Sequence, residues 1–520
     1  MDDLLPQLLE RYSFWTQDIQ TRITRKNGWN DVMDAYYGVL PEDWPFRMKI
    51  VDPRIRTILQ EKNSRLLGNR ISGRVLPREN GDTIKARIHQ AILDYQWDKV
   101  SYGGSMQQKL SMADLNTRLY GSQFALVLWR VEKDEEDKIV YEGNDLQLLD
   151  IRDCGIDPAA KSIRDAKWFQ VRQWVYLEDL EKQLDSKGKP IFRNIDIIRK
   201  NLKDKVSDKR NDYTPRVKQI RGLEDRLGMD REFPMIEIVT EYRKDKWITF
   251  SPQHSVVLRE IENPYNHGDI PVVQLTYHRL DDDPIGESEV EPVIPLWKAL
   301  QALVSSYIEE VLLKMRPPLK VIRGSAAIET ILYSPDALWL VDRPDAITEV
   351  VSSGNSIQYF QTTYTSLVSA INSAMGGMSM GISNIDPNAN KRTATEVKAS
   401  VRQQTTVDQK NLVDLSDFIK DFVRMWISNN QQFLFTQEKS YYVQKIIGVE
   451  NYNVFRKAGF DQTIIPPEVD QQVADIIAQN PDITDFEIEQ IREAGRVPKY
   501  PVILNPQREK ILKKSRLNRN

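Results

Sequence analysis

The sequence predicts an α+β protein built from several lobes, and three observations carry that expectation. Strand-length apolar runs bounded by turn residues are frequent up to about Thr276. Beyond that point, long stretches place apolar residues at steps of three and four, the spacing of amphipathic helices. From Gly354 to Ile385 there is no charged side chain at all, although 28% of the 520 residues are charged.

In chain order, residues 3–27 have a helical pattern, followed by NDVMDAYYGVLPEDW, which ends in aromatics and a Gly-Val-Leu-Pro turn. A basic helix is expected over Arg54–Gly68, a short strand over Ile71–Leu76, and helices over Thr83–Trp97 and Ser105–Tyr120. Phe124–Val131 reads as a strand running into an acidic hairpin tip, EKDEED; Leu146–Ile156 and Trp168–Val175 read as further strands. Residues 181–231 hold fifteen Lys/Arg against nine Asp/Glu, which reads as a solvated, partly mobile surface arm. Strands return at Ile236–Tyr242, Trp247–Phe250, Val256–Leu258 and Val272–Thr276.

The second half has an α–β–α–β–α plan. A helix is expected over Val293–Met315, with Leu296, Leu300, Leu303, Tyr307 and Val311 on one stripe. Pro317 and Pro318 stop it. A strand at Leu319–Ile322, a small helix at Ser325–Leu332 and a strand at Leu338–Val341 make a compact insertion. The charge-free run then returns as a helix with Ile357, Phe360, Tyr364, Leu367 and Ile371 at helical spacing. So two helices of similar length flank a small module, a stalk with a knob at its tip. A loop rich in Gly, Met and Ser follows, with Gly376, Gly377 and Gly381 interrupting any regular element. Thr393 and Glu396 form a capping box that opens one long helix to Phe435. Strands are expected near Tyr441–Ile447 and Asn451–Phe455, and a polar helical tail from Pro466, whose last thirteen residues hold six Lys/Arg against one Glu.

Composition removes several functional classes. The net charge of -3 excludes a generally basic nucleic-acid binder, so any such contact is local. A single cysteine, Cys154, excludes an internal disulfide and a Cys-ligated zinc site, and reads as a packed thiol. The start, MDDLLPQLLERYSFW, has no secretory pattern, and no stretch has the apolar length of a membrane helix, so synthesis in the cytoplasm without membrane association is expected. There is no Walker loop, no GxSxG elbow and no HExxH, and His89, His254, His267 and His278 are isolated along the chain. Asp281, Asp282 and Asp283 are the one tight carboxylate cluster, the basis of a rival reading as a metal-dependent nucleic-acid-processing enzyme. Consecutive side chains diverge, so a solvated turn before Pro284 is the expected role, and the chain is expected to be no enzyme and to need no metal or cofactor. The charge-free helix and loop leave two uses open: a buried contact between copies, or a surface past which a charged polymer slides without being gripped.

Several segments, in order, resemble portal proteins, the head-to-tail connectors of short-tailed double-stranded DNA bacteriophages. These are DAYYGVLPEDW, CGIDPAAKSIRDAKWFQVRQWVYLEDL, NPYNHGDIPVVQLTYHR with DDDPIGESEVEPVIPLWKALQALVSSYIEE, and RTATEVKA. Together they span most of residues 30–435. The resemblance implies a portal fold: an N-terminal α/β wing over residues 1–285, a first stem helix over 286–316, a clip over 317–353, a second stem helix over 354–375, a tunnel loop over 376–392, a long helix with wing strands over 393–465, and a mainly helical C-terminal crown over 466–520. It implies a ring, usually dodecameric, at one capsid vertex of the virion, made in the host cytoplasm, through which the genome is packaged and ejected. Partners would be double-stranded DNA, the large terminase subunit, a head–tail adaptor, and the major capsid and scaffolding proteins. The tunnel loop would bring Gly376, Gly377, Met378, Ser379, Met380, Gly381, Asn384, Asn388, Lys391 and Arg392 to the DNA channel. Pro317, Pro318, Ile331, Leu332 and Trp339 would serve docking in the clip, and the two apolar stem stripes would join neighbouring subunits. A structural adaptor with no DNA conduit is the remaining alternative.

Overall fold

A computed structural model describes residues 4–68, 71–77, 83–99, 104–134, 139–183, 189–204, 235–281, 283–315, 319–321, 347–349, 356–376, 394–435, 439–457, 463–464 and 497–498. It is an α+β protein. Helices α1 (Leu5–Thr24), α2 (Trp29–Tyr37), α3 (Arg54–Leu67), α4 (Thr83–Lys99) and α5 (Met106–Tyr120) precede the first strands. A hairpin of β1 (Ser122–Lys133) and β2 (Ile139–Leu148) pairs with the distant β8 (Val272–Thr276) in the antiparallel order β2-β1-β8. Between them runs a five-stranded antiparallel sheet, β3 (Cys154–Ile156), β4 (Phe169–Tyr176), β5 (Met235–Tyr242), β6 (Lys246–Ser251) and β7 (Val256–Glu262), paired in chain order. Short helices α6 (Leu177–Lys182) and α7 (Ile195–Asp204) follow β4. Then come α8 (Ile294–Met315), the pair β9 (Leu319–Val321) and β10 (Ile347–Glu349), α9 (Ser356–Ala374), α10 (Ala394–Phe433), α11 (Ser440–Lys457), and the pair β11 (Thr463–Ile464) and β12 (Val497–Pro498).

Two cores organise these elements. One gathers Trp15, Trp29, Ile55, Leu59, Phe169, Trp297, Leu300 and Ile371, so it joins α1–α3 and the five-stranded sheet to the feet of α8 and α9. The other packs Leu93, Trp97, Leu110, Val127 and Leu275 against Phe418, Phe422 and Trp426 of α10. Next to it lies a closed ring of buried amides. Gln96 Nε2 donates to Asn430 Oδ1 (2.7 Å) and Asn430 Nδ2 returns to Gln96 Oε1 (3.2 Å). Asn144 Nδ2 donates to Asn430 Oδ1 (2.9 Å) and to the Trp426 carbonyl (3.1 Å). Asn429 Nδ2 donates to Asn144 Oδ1 at 3.0 Å. These hydrogen bonds fix α10 against α4 and β2 in one register, with Asn429 Oδ1 the one ring atom left without a partner.

Four expectations need correction. Tyr441–Ile447 and Asn451–Phe455 are helical, in α11, with a break at Gly448 (φ 80°). Tyr442, Val443 and Ile447 bury one face with Ile88 and Ile92 of α4, and a short apolar run is ambiguous until its partner is known. Ile71–Leu76 forms no strand: its backbone N–H groups go to side chains, Ile71 N to Gln107 Oε1 (3.2 Å) and Val75 N to Gln90 Oε1 (2.6 Å). Leu146–Ile156 is split by a 3₁₀ turn at Ile151–Asp153, where Asp150 accepts from Arg152 N. The start of the basic segment is packed, with Phe192 and Ile198 buried against Ile236, Ile238 and Leu258; residues 205–231 lie outside the described part. Cys154 is a buried free thiol, and burial pushes its pKa well up.

Candidate functional site

The antiparallel pair α8 and α9 carries the features singled out in the sequence. Helix α8 is held along one ridge by the segment 39–53. Ser305 Oγ accepts from Trp44 Nε1 (3.3 Å), Glu309 Oε1 accepts from the backbone N–H of Arg47 and Met48, and Gln301 Oε1 accepts from Asp52 N (2.8 Å). Positions 301, 305 and 309 are four apart and so line up on one face of the helix. Asp52 ties in the second helix, because its Oδ2 accepts from Tyr364 OH at 2.8 Å.

The opposite ridge of α8 meets α9. Tyr307 stacks on Phe360 and Phe360 on Tyr364. Of the expected intersubunit stripes, Leu300 and Ile371 are fully buried in the chain's own core, which corrects their assignment as contacts between copies. Leu296, Leu367 and Tyr364 pack against that same core, and Leu303, Tyr307, Val311 and Phe360 are half-buried. Helices of this kind use their first apolar stripe on each other, and periodicity alone does not say which stripe is left over. Ile357 is exposed. The apolar surface left to solvent sits at the far end of the pair: Leu312 (45% exposed), Leu313 (57%), Met315 (72%), Ile357 (56%) and Tyr359 (76%).

The outward face of α9 is polar without charge. Gln358, Gln361, Thr362, Thr365, Ser366, Ser369 and Ser373 are exposed. Thr362 and Ser366 spend their hydroxyl protons on their own helix, donating to the carbonyls of Gln358 (3.0 Å) and Thr362 (2.9 Å).

The foot of the hairpin stands on a buried ionic cluster that sequence reading missed. Glu289, just before α8, receives Lys62 Nζ at 2.8 Å and Arg118 Nη1 at 2.9 Å. Arg118 also binds Asp114 (Nε to Oδ2, 3.0 Å), and Asp114 accepts from Tyr277 OH (2.5 Å) and Asn63 Nδ2 (2.7 Å). Burial would raise the Glu289 carboxyl, but the Arg118 charge, with His278 and Lys62, holds it below the usual carboxylate range. Burial and the Asp114 charge push Tyr277 well up, so it stays a neutral donor. The one local signal was the i, i+4 pair Asp114–Arg118; Lys62 and Glu289 are 227 positions apart. Lys62 also lies beneath the C-terminus of α9, its Nζ 3.9 Å from where a Cβ would stand on Gly376, itself at φ 60°.

Gly376 is the only member of the expected channel set among the described residues; Gly377, Met378, Ser379, Met380, Gly381, Asn384, Asn388, Lys391 and Arg392 lie outside them. So do Pro317, Pro318, Ile331, Leu332 and Trp339. Of the acidic turn, Asp282 lies outside the described residues. Asp283 pairs with Arg22 (2.7 Å), whereas Asp281, 93% exposed, lies 3.7 Å from Lys161 Nζ. No group of three or more potential ligands is found among the described residues. Among them, too, no helix is long and apolar enough to cross a membrane. The chain matches no protein-family profile, and no curated protein matches it at a significant level.

Proposed function

We propose that the protein is a portal-type connector: a closed ring of identical subunits whose paired α8 and α9 helices form a stem around a channel for double-stranded DNA. The observation that carries the reading is the outward face of α9, on which seven of the helix's exposed Gln, Thr and Ser side chains stand with no charge, in a chain that is 28% charged overall. Duplex DNA carries about one charge per 1.7 Å of axis, and a basic lining would release counterions and hold it tightly. A hydroxyl and amide face without charge, with the Thr362 and Ser366 protons already committed to its own helix, gives contact without a deep electrostatic well.

The exposed apolar end of the hairpin supports the ring, since Leu312, Leu313, Met315, Ile357 and Tyr359 form a cluster of large apolar side chains that a solitary subunit leaves in water. The ordered resemblance of residues 30–435 to connectors of short-tailed phages supports the same assignment. On this reading the segment between α8 and α9 docks the packaging motor and the adaptor, and the loop after Gly376 reaches the DNA. The protein would act at one capsid vertex and perform no chemistry of its own.

Negative-stain imaging of the purified protein, with light scattering across a concentration series, tests this. Rings with an open axial channel are expected. A monomer of about 60 kDa at every concentration, or a closed particle without a channel, overturns the reading.

A further inference from the structure

We propose that a cleft between α10 and the loop leading into β8 is a docking site for an acidic protein segment that carries an apolar side chain beside its carboxylates. The cleft has a volume of about 450 Å³, within the range of pockets that enclose a ligand. It lies apart from the α8–α9 hairpin, and the inference does not depend on the ring.

Its two walls are fixed to each other at both ends. Gln432 of α10 accepts from Asn266 N (2.8 Å) and donates to the Pro264 carbonyl (2.7 Å). At the other end Arg164, on the connection from β3 to β4, forks onto Asp421 of α10, with Nε 3.2 Å from Oδ2. A cleft cross-linked in this way is already formed, so an occupant does not have to order it.

The lining has two characters. Ile163, Ile270 and Met425 give an apolar wall. Three cations, Arg164, Lys244 and Arg424, stand against two carboxylates, Asp269 and Asp421, and Asp421 is taken by Arg164. Lys244 and Arg424 are exposed and form no ion pair among the described residues. His267 adds an unsatisfied donor. Its Nδ1 accepts from Asp269 N (3.0 Å), so the neutral ring carries its proton on Nε2. That Nε2 is covered and has no hydrogen-bond partner, with the ring stacked 5.3 Å from Tyr265.

Charge complementarity therefore asks for an anion, and the apolar wall selects its source. A phosphate backbone offers nothing to Ile163, Ile270 and Met425, and the two rim carboxylates repel it. A peptide with Leu or Phe next to Asp or Glu fills the wall and meets Lys244 and Arg424.

Fluorescence anisotropy on the full chain tests the inference, with labelled Asp-Glu-Leu-Phe-Asp-Glu, its amide analogue Asn-Gln-Leu-Phe-Asn-Gln, the apolar-deleted Asp-Glu-Gly-Gly-Asp-Glu, and a short DNA duplex as competitor. The first peptide is expected to bind about tenfold or more tighter than either analogue, and more weakly as salt is added. Lys244→Glu with Arg424→Glu should reduce its affinity at least about tenfold, while Lys420→Glu, exposed on the same helix, should not. Equal binding of the amide analogue, full retention in the double variant, no saturable binding of the first peptide, or its displacement by the duplex would each overturn the proposal.

Discussion

Tyr307 of α8 and Phe360 of α9 stack almost face to face, with ring centroids 3.9 Å apart and planes inclined by 14°. The contact lies at the edge of the main core, where Val304 and Tyr364 pack, and it helps to lock the register of the two helices. Phe360→Ala is expected to lower stability by about 1–3 kcal/mol, less than a fully buried Phe because the ring is only half-buried. A double-mutant cycle with Tyr307→Ala should return a coupling of about 0.5–1.5 kcal/mol. Urea unfolding of the four proteins measures it; additive single effects would mean that the rings are adjacent without being coupled.

Glu289 bridges Lys62 and Arg118. Glu289→Gln keeps the shape but strands the buried Lys62, while Arg118 keeps Asp114, so a loss of about 3 kcal/mol is expected. The pH dependence has a definite sign. The folded carboxyl is held below its ordinary value of 4.5, so its stabilisation is complete above that value and lost as pH falls towards the depressed one. Thermal melts from pH 5 downwards should show a steep decline in the wild type and a flatter one in Glu289→Gln.

His89 acts over a higher window. It is buried beside Phe435, and burial, with Lys85 adding to it, brings its pKa down to about 4 from an ordinary 6.5. The neutral ring is therefore favoured in the folded state. Its contribution is present above about pH 6.5, is lost as pH falls to about 4, and amounts to at most ~3 kcal/mol. His89→Gln should flatten the stability profile between those two pH values and leave the region below pH 4 to the carboxylates.

Thr362→Lys, Ser366→Lys and Ser369→Lys together place charge on the exposed face of α9. Folding should be nearly unchanged, since none of the three is buried. Affinity for duplex DNA should rise, and the slope of log K against log salt should steepen by up to ~0.9 per added phosphate contact. Filter binding over a salt series checks this, and an unchanged slope would place that face away from DNA.

The helices with long, uniform apolar spacing were legible in the sequence. Val293–Met315 was expected and Ile294–Met315 is found; residues 354–375 were expected and Ser356–Ala374 is found. Strands β4 to β8 were legible too, because turn residues bound each of them. What could not be read was determined by distant partners. Tyr441–Ile447 is apolar enough for a strand, and only packing on α4 makes it helical. Polar residues such as Glu142, Asn144 and Asp145 carry β2 where no apolar alternation marks a strand. Leu300 and Ile371 look like any exposed stripe until the first core closes over them. Lys62 and Glu289 look like ordinary surface charges, since charge gives no hint of burial before its counterion is in place.

Helix α10 is 40 residues long, and the amide ring holds it near one end, at Asn429 and Asn430. At ~1.5 Å per residue its opposite end lies ~50 Å from that anchor. Phe418, Phe422 and Trp426 in the second core and the Arg164–Asp421 pair brace the same half, and a tilt of about 1° over the helix length carries the far tip by about 1 Å. The tip is where the chain arrives from the charge-free run, so what reaches it is set by the braced half, the four amides and the second core together.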